Sequence, residues 1–268
     1  MKIARFSSKG EDPRYGILDE RDLVVLAGDP MYQGFETTGE RVPLTDAKLL
    51  APVIPRSKVI GVGLNYAEHA SEMDERSGDD PVVFLKPNTS VIGPDDPIRL
   101  PAGVGPDDPI RLPAGVGRVD HEGELAIVIG SLAKNVRRED FASVILGYTI
   151  ANDVTARDLQ ARDGQWTRAK GFDTFCPLGP AIETEIDPSD IRLETRVDGE
   201  LRQAASTSEM IHDIPTLIEF VSSIWTLLPG DVILTGTPAG VGEIRDGEVV
   251  EVTISGLGSL TNPVIAKH

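Results

Sequence analysis

The chain has 268 residues, with 26 Lys and Arg against 43 Asp and Glu, a net charge of −17. That length suits one sizeable domain or a main domain with a small appendage, and its single cysteine, Cys176, cannot form an internal disulfide. The acidity argues against nucleic acid and anionic membranes as partners, no apolar run is long enough to span a bilayer, and the polar start MKIARFSSKG is not that of a signal peptide, so the protein reads as cytoplasmic.

The first fifty residues carry short strand-like pieces, KIARFSS, YGILDE and DLVVLAG, joined by Gly, Pro and Asp turns, and read as a small subdomain over residues 1–50. After the prolines at 52 and 55 the strands strengthen: KVIGVGL, PVVFLK, ELAIVIG, VILGYTIAND, IRLETRVDG, GDVILTG and EVVEVTISG. Most alternate or are β-branched, which predicts a β-rich main domain over residues 51–268 with few helices. One helix is expected from Ile214. Its apolar stripe of Leu217, Ile218, Val221, Ile224, Trp225 and Leu228 is capped by Asp213 and stopped by Pro229-Gly230. A shorter helix is expected over RREDFASVI.

Residues 93–104, GPDDPIRLPAGV, recur unchanged as residues 105–116. Nothing else repeats, so this is a local tandem duplication, not a repeat architecture. One copy is expected to make the native connection and the other to bulge outward. The duplication runs directly into DHEGELAIVIG and so could shape whatever site lies there.

Three familiar motifs fail. Gly61-Val62-Gly63 has Tyr66 where a dinucleotide fingerprint needs glycine, TGTPAGVG lacks the Gly-Lys-Ser/Thr end of a P-loop, and His121-Glu122 is followed at position 125 by Leu where a zinc protease needs His. The glycine-rich TGTPAGVG can still offer backbone N–H groups to an oxyanion or carboxylate. Cys176 has no base placed beside it by any motif and reads as a packed thiol.

What survives is acidic. In a strand, Glu122 and Glu124 project side by side, so either both face water or a cation lies between them. Asp153 closes the next apolar strand about thirty residues on, and the three oxygens together would suit Mg²⁺ or Mn²⁺. In NYAEHASEMDERSGDDP, His69 and Glu72 would meet on a helical turn, and a carboxylate beside imidazole raises its basicity; an exposed chance pair is the alternative. ERSGDDP could form a lid over such a pair. Lys86, Arg157, Gln160, Arg168 and Lys170 supply the local positive and polar groups that an acidic protein needs if it binds an acidic substrate.

Together, GLNYAEHASE, FLKP, DHEGELAIVIG, GYTIANDVTARDLQARDGQWTRAKGFDTFCPLGP and LLPGDVILTGTPAGVG resemble the fumarylacetoacetate hydrolase family, in its bacterial oxaloacetate decarboxylase and acylpyruvase-like branch. The resemblance runs from about residue 50 to the end. It implies a β-rich α+β fold, a mixed β-sandwich roll with a small N-terminal α/β subdomain, as a homodimer. It also implies Mg²⁺ or Mn²⁺ on Glu122, Glu124 and Asp153, a water-activating dyad of His69 and Glu72, and Lys170 beside the metal. Lys86, Arg157, Gln160 and Thr237 fall where the substrate's carboxylate or oxo groups are held. The activity implied is on small anionic 2-oxo acids through a metal-stabilised enolate. It proceeds by C–C hydrolysis of an acylpyruvate or fumarylpyruvate, or by decarboxylation of oxaloacetate. Isomerases and decarboxylases of aromatic degradation, acting on 2-hydroxyhepta-2,4-diene-1,7-dioate or 5-oxopent-3-ene-1,2,5-tricarboxylate, are the alternative within the family. A non-catalytic metal-binding protein on the same fold is the alternative outside it.

Overall fold

A computed structural model describes residues 1–72, 78–101 and 117–266. The ten strands read from the sequence form where the pattern places them, and further strands lie beside them. They are β1 (Lys2–Ser8), β2 (Arg14–Asp19), β3 (Asp22–Leu26), β4 (Thr37–Pro43), β5 (Val59–Gly63), β6 (Val82–Lys86), β7 (Ile98–Leu100), β8 (Gly123–Ile129) and β9 (Ile145–Asn152). The series continues with β10 (Cys176–Glu183), β11 (Arg192–Val197), β12 (Glu200–Ser206), β13 (Val232–Leu234), β14 (Val249–Ile254) and β15 (Gly258–Ala266). Helices are short: α1 (Ala67–Glu72), α2 (Arg157–Asp163), α3 (Thr167–Lys170) and α4 (Ile214–Ile224). Among the described residues, no helix is long and apolar enough to cross a membrane.

A long mixed sheet runs in the order β4-β3-β2-β1-β10-β9-β8-β13-β5-β6, so the N-terminal strands continue the sheet through β1 and β10. A second, five-stranded sheet runs β12-β11-β14-β15-β7. Alternation along β8 divides its side chains between two cores. Leu125, Ile127 and Ile129 pack with Leu193 and Val252 of the second sheet and with Leu217 and Ile218 of α4. Ala126 and Val128 pack with Leu178, Val232 and Leu234.

Gly123, between the two glutamates, lies where the second sheet packs against β8. A Cβ there would lie 2.1 Å from Thr195 Oγ1 and 3.0 Å from Val252 Cγ1, so only glycine fits. Cys176 is fully buried in β10, and burial pushes its thiol up to about 12, in keeping with a packing role.

Two expected helices differ. Asp213 caps α4 as predicted, its carboxylate accepting from Thr216 N at 3.0 Å, but the helix ends at Ile224. Trp225 is extended, because Leu227 pairs through both backbone groups with Ala133, at 2.8 and 3.0 Å. Ile224 and Leu228, placed in the buried stripe by periodicity, are 44% and 37% exposed. Arg138–Val144 winds as a 3-10 helix, not an α-helix.

The first copy of the duplication takes a structural place: β7 pairs in parallel with β15, and Ile98 and Leu100 are buried. The second copy, residues 105–116, and residues 75–77 of the proposed lid ERSGDDP lie outside the described residues. Since one copy already fills the slot beside β15, deleting residues 105–116 is expected to leave a folded protein. Its stability in chemical denaturation should stay within about 1 kcal/mol of the parent, the scale of loop-closure entropy. Loss of cooperative unfolding in the deletion would show that the second copy is structural.

Candidate metal and proton-transfer site

Antiparallel pairing of β8 with β9 sets Gly123 opposite Asn152 and Glu124 opposite Ala151. The ladder continues past the strand end, with Asp153 N–H donating to Glu122 O at 2.8 Å and Glu122 N–H to Asn152 Oδ1 at 2.9 Å. Glu122 stands in the one-residue break between Val119–His121 and β8. The result brings Glu122, Glu124 and Asp153, all buried, to within 4.8 Å of one another through one carboxylate oxygen each.

Cations surround two of these three carboxylates. Lys170, at the end of α3, donates to Glu122 Oε2 and Asp153 Oδ2, each at 2.7 Å, and its ammonium lies 5.0 Å from the Phe84 ring centre. Lys86 pairs with Asp153 Oδ1 from behind. Arg157, the first residue of α2, lies 2.7 Å from Glu122 Oε1 through Nη2, donates to Asp120 Oδ2 at 2.8 Å and to Gln160 Oε1 at 2.9 Å. Burial alone would raise Glu122, but Lys170 and Arg157 outweigh it and hold its carboxyl far below the usual range. Burial likewise opposes charge on Lys170, and Asp153 with Glu122 overcomes it, so its ammonium is stabilised.

Among the described residues, Glu124 has no ammonium or guanidinium paired with it; its partner is Gly236 N–H at 2.6 Å. Gly236 adopts a φ of +96°, and a Cβ there would come 2.7 Å from Asn65 Cβ, so the turn that aims this N–H requires glycine. Burial and the charges of Asp153 and Glu122 push Glu124 well above the ordinary carboxylate value. Three hard oxygen donors converge, and one of them lacks the positive charge that would keep it ionised, which a divalent cation at the triad would supply.

His69 is buried on α1, its Nδ1 3.2 Å from Glu72 Oε2, and Glu72 also accepts from Gly240 N–H at 3.2 Å. The TGTPAGVG loop thus serves carboxylates with backbone N–H groups at Gly236 and Gly240. Asn65 fixes the corner before α1 by donating to Thr235 O at 2.7 Å and His212 O at 3.0 Å and accepting from His212 N–H at 2.8 Å. His69, Glu122, Arg157, Gln160, Lys170 and Thr237 line one cavity, with Trp166 as part of its wall. A wider outer cavity shares Arg157, Gln160 and Trp166 and extends to Glu72, Arg118 and Asp120.

The structure gives two of the cations singled out in the sequence other places. Lys86 does not line this cavity. Its side chain is fully buried beside Asp153 and also donates to Val154 O at 3.4 Å, so it braces a carboxylate from outside this cavity. Arg168 points to the surface and pairs with Asp163. Asp120, Gln203 and Trp166 were not anticipated. Only Asp120 carried a sequence signal, as a further acid two residues before Glu122.

The fold and this site combine a buried carboxylate triad that could hold a divalent cation with a histidine and a lysine, in a sandwich of β-sheets. The family model described as "Fumarylacetoacetate (FAA) hydrolase C-terminal" matches residues 58–265, and one described as "Rv2993c-like, N-terminal" matches residues 1–52. The chain belongs to the fumarylacetoacetate hydrolase family. It is 57% identical to Protein Rv2993c of Mycobacterium tuberculosis over 86% of this chain and 83% of that one. It is 41% identical to the mitochondrial oxaloacetate tautomerase Fahd2a of Rattus norvegicus over 84% and 71%. Among solved structures it is similar to 5-carboxymethyl-2-hydroxymuconate delta-isomerase of Mycobacterium smegmatis, at 49% identity and TM-score 0.88 over the whole of both chains. It is also similar to maleylpyruvate hydrolase of Sphingobium sp. SYK-6 in complex with manganese(II) and pyruvate, at 31% identity and TM-score 0.80 over the whole of both chains.

The raised Glu124 makes metal binding pH-dependent with a defined sign. Below its elevated pKa Glu124 holds a proton that a cation must displace, so Mn²⁺ affinity should rise with pH until Glu124 ionises unaided and then level off. Calorimetry in buffers of different ionisation enthalpy should show about one proton released per Mn²⁺ on the acid side. Glu124→Gln should bind Mn²⁺ weakly and without proton release; an unchanged affinity and proton count in that variant would remove Glu124 from the donor set.

Proposed function

We propose that this protein is a Mg²⁺- or Mn²⁺-dependent enzyme of small 2-oxo acids that moves a proton at the carbon beside the 2-oxo group and so interconverts enol and keto forms. One observation carries this reading: His69, with its carboxylate partner, opens onto the same cavity as Glu122 and Lys170. Glu122, Glu124 and Asp153 would hold the cation, which when bound supplies positive charge for the oxygen that becomes negative as the proton leaves.

The chain's own groups divide the remaining work. Glu72 takes the Nδ1–H of His69, leaving Nε2 as the nitrogen that can accept a proton. Lys170, kept charged by Glu122 and Asp153, adds a second positive charge beside the reacting atoms. Gln160 accepts from Arg157 through Oε1, which leaves its amide N–H groups for a substrate carboxylate. The tautomerase and isomerase names among the similar proteins support a proton-transfer reaction at this level of identity.

Hydrolytic C–C cleavage is the second reading, supported by the outer cavity beyond Gln160 and Trp166, which gives room for an acyl chain. There His69 would deprotonate a water for attack on C4 of an acylpyruvate. Oxaloacetate could also lose CO₂ without any base.

NMR time courses with oxaloacetate and with acetylpyruvate, each with Mg²⁺, Mn²⁺ or EDTA and with protein-free metal controls, test these readings. Metal-dependent acceleration of enol–keto exchange is expected, with pyruvate released from acetylpyruvate only if the second reading holds. His69→Ala should slow exchange by about 10²–10⁴-fold, the usual scale for loss of a general base, while retaining Mn²⁺ binding. Glu122→Ala should lose both. Metal binding without acceleration on either acid would point to a non-catalytic metal binder.

A further inference from the structure

Thr237 lines the cavity beside Glu122 and His69, and its hydroxyl is not free to choose what it offers there. Gln203, buried on β12 of the second sheet, determines this. Its amide has one orientation compatible with its neighbours. Pro238 O, 2.8 Å from Nε2, can only accept, and Gly123 N–H, 3.0 Å from Oε1, can only donate. The second Nε2 hydrogen is directed to Thr237 Oγ1 at 2.7 Å, and the remaining capacity of Oε1 faces His121 Nδ1 at 3.3 Å. Thr237 therefore accepts from Gln203, and it gives its own hydrogen to Gly123 O at 2.9 Å. One lone pair is left over for the cavity. A carboxylate or oxo oxygen, itself an acceptor, gains no hydrogen bond from such a group, whereas a hydroxyl does. The resemblance that assigned Thr237 to a carboxylate or oxo group carries no information about this polarity.

We propose that Gln203 is a positioning residue that holds Thr237 as a pure acceptor, and that the site thereby selects, among 2-oxo acids, the tautomer with a hydroxyl hydrogen to give, the enol. The proposal rests on the 2-oxo-acid reading above. In Gln203→Glu the carboxylate has no hydrogen for Thr237 or Pro238 O, so Thr237 must turn its hydrogen toward the new oxygen. Thr237→Val keeps the shape and removes the acceptor, and Thr237→Ser keeps the acceptor.

Malonate and hydroxymalonate differ by one hydroxyl, and the test is their calorimetric titration into the Mn²⁺-loaded protein and these three variants. Any contact of that hydroxyl with the cation is common to all four proteins, so a change in the ratio of the two Kd values reports Thr237. The preference for hydroxymalonate should fall about fivefold in Thr237→Val and Gln203→Glu, as for one lost hydrogen bond, and persist in Thr237→Ser. An unchanged ratio in Thr237→Val or in a folded Gln203→Glu overturns the proposal. Neutron diffraction from the deuterated wild-type protein reads the same point without a variant. A Thr237 deuterium on Gly123 O supports the assignment, and one directed into the cavity refutes it. If neither acid binds the wild-type protein, the neutron result still decides the polarity of Thr237, and the NMR time courses above decide the 2-oxo-acid reading separately.

Discussion

Burying Glu122, Glu124 and Asp153 at one strand end places three like charges in a region where each unbalanced charge costs several kcal/mol. Most of the surrounding architecture answers that cost. Lys86 braces Asp153 from behind, Lys170 bridges Asp153 and Glu122, and Arg157 closes the far side of Glu122 while being held itself by Asp120. Asp120 in turn is gripped by Arg118 at 2.6 and 2.9 Å, so the chain of alternating charge runs from the buried triad to the surface. Among the described residues Glu124 is the member left without a paired cation, an imbalance that a divalent ion at the triad would correct.

The same arrangement would reconcile an acidic protein with the acidic substrate proposed for it. The whole chain carries a net charge of −17, yet the cavity wall presents Arg157 and Lys170, and His69 faces them from α1. Local cations set by short helices thus reverse the field where it matters, within a shell that remains negative. The histidine and lysine reach the triad from separate elements, each anchored by backbone contacts: α1 through Asn65 and α3 through Lys170 N–H to Trp166 O.

Much of this was legible in the sequence because it is locally encoded. Alternation gave the strands, Asp213 gave the helix start, and the three-residue spacing of His69 and Glu72 gave their contact. The two glutamates could be read as neighbours, though the sequence could not show that Glu122 sits in a strand break. Features that depend on remote partners were not legible. Helix α4 ends early because Leu227 pairs with Ala133, nearly a hundred residues away. Lys86 ends a strand, and nothing local says whether its ammonium reaches into the cavity or behind Asp153. Gln203 belongs to the second sheet and touches the site only because Gly123 lets the sheets meet.

That close approach at Gly123 has a bearing on how one scaffold accommodates different reactions. The carboxylates are spaced by the β8–β9 ladder at the point where Thr195 and Val252 of the second sheet pack on Gly123, so that ladder cannot shift without repacking the core there. The cavity walls are under no such restriction. Trp166 and Gln160 belong to short helices and their junctions, where a side chain can be exchanged at small cost to the fold. On this frame the walls can therefore be altered with less disturbance to the core than the carboxylates can.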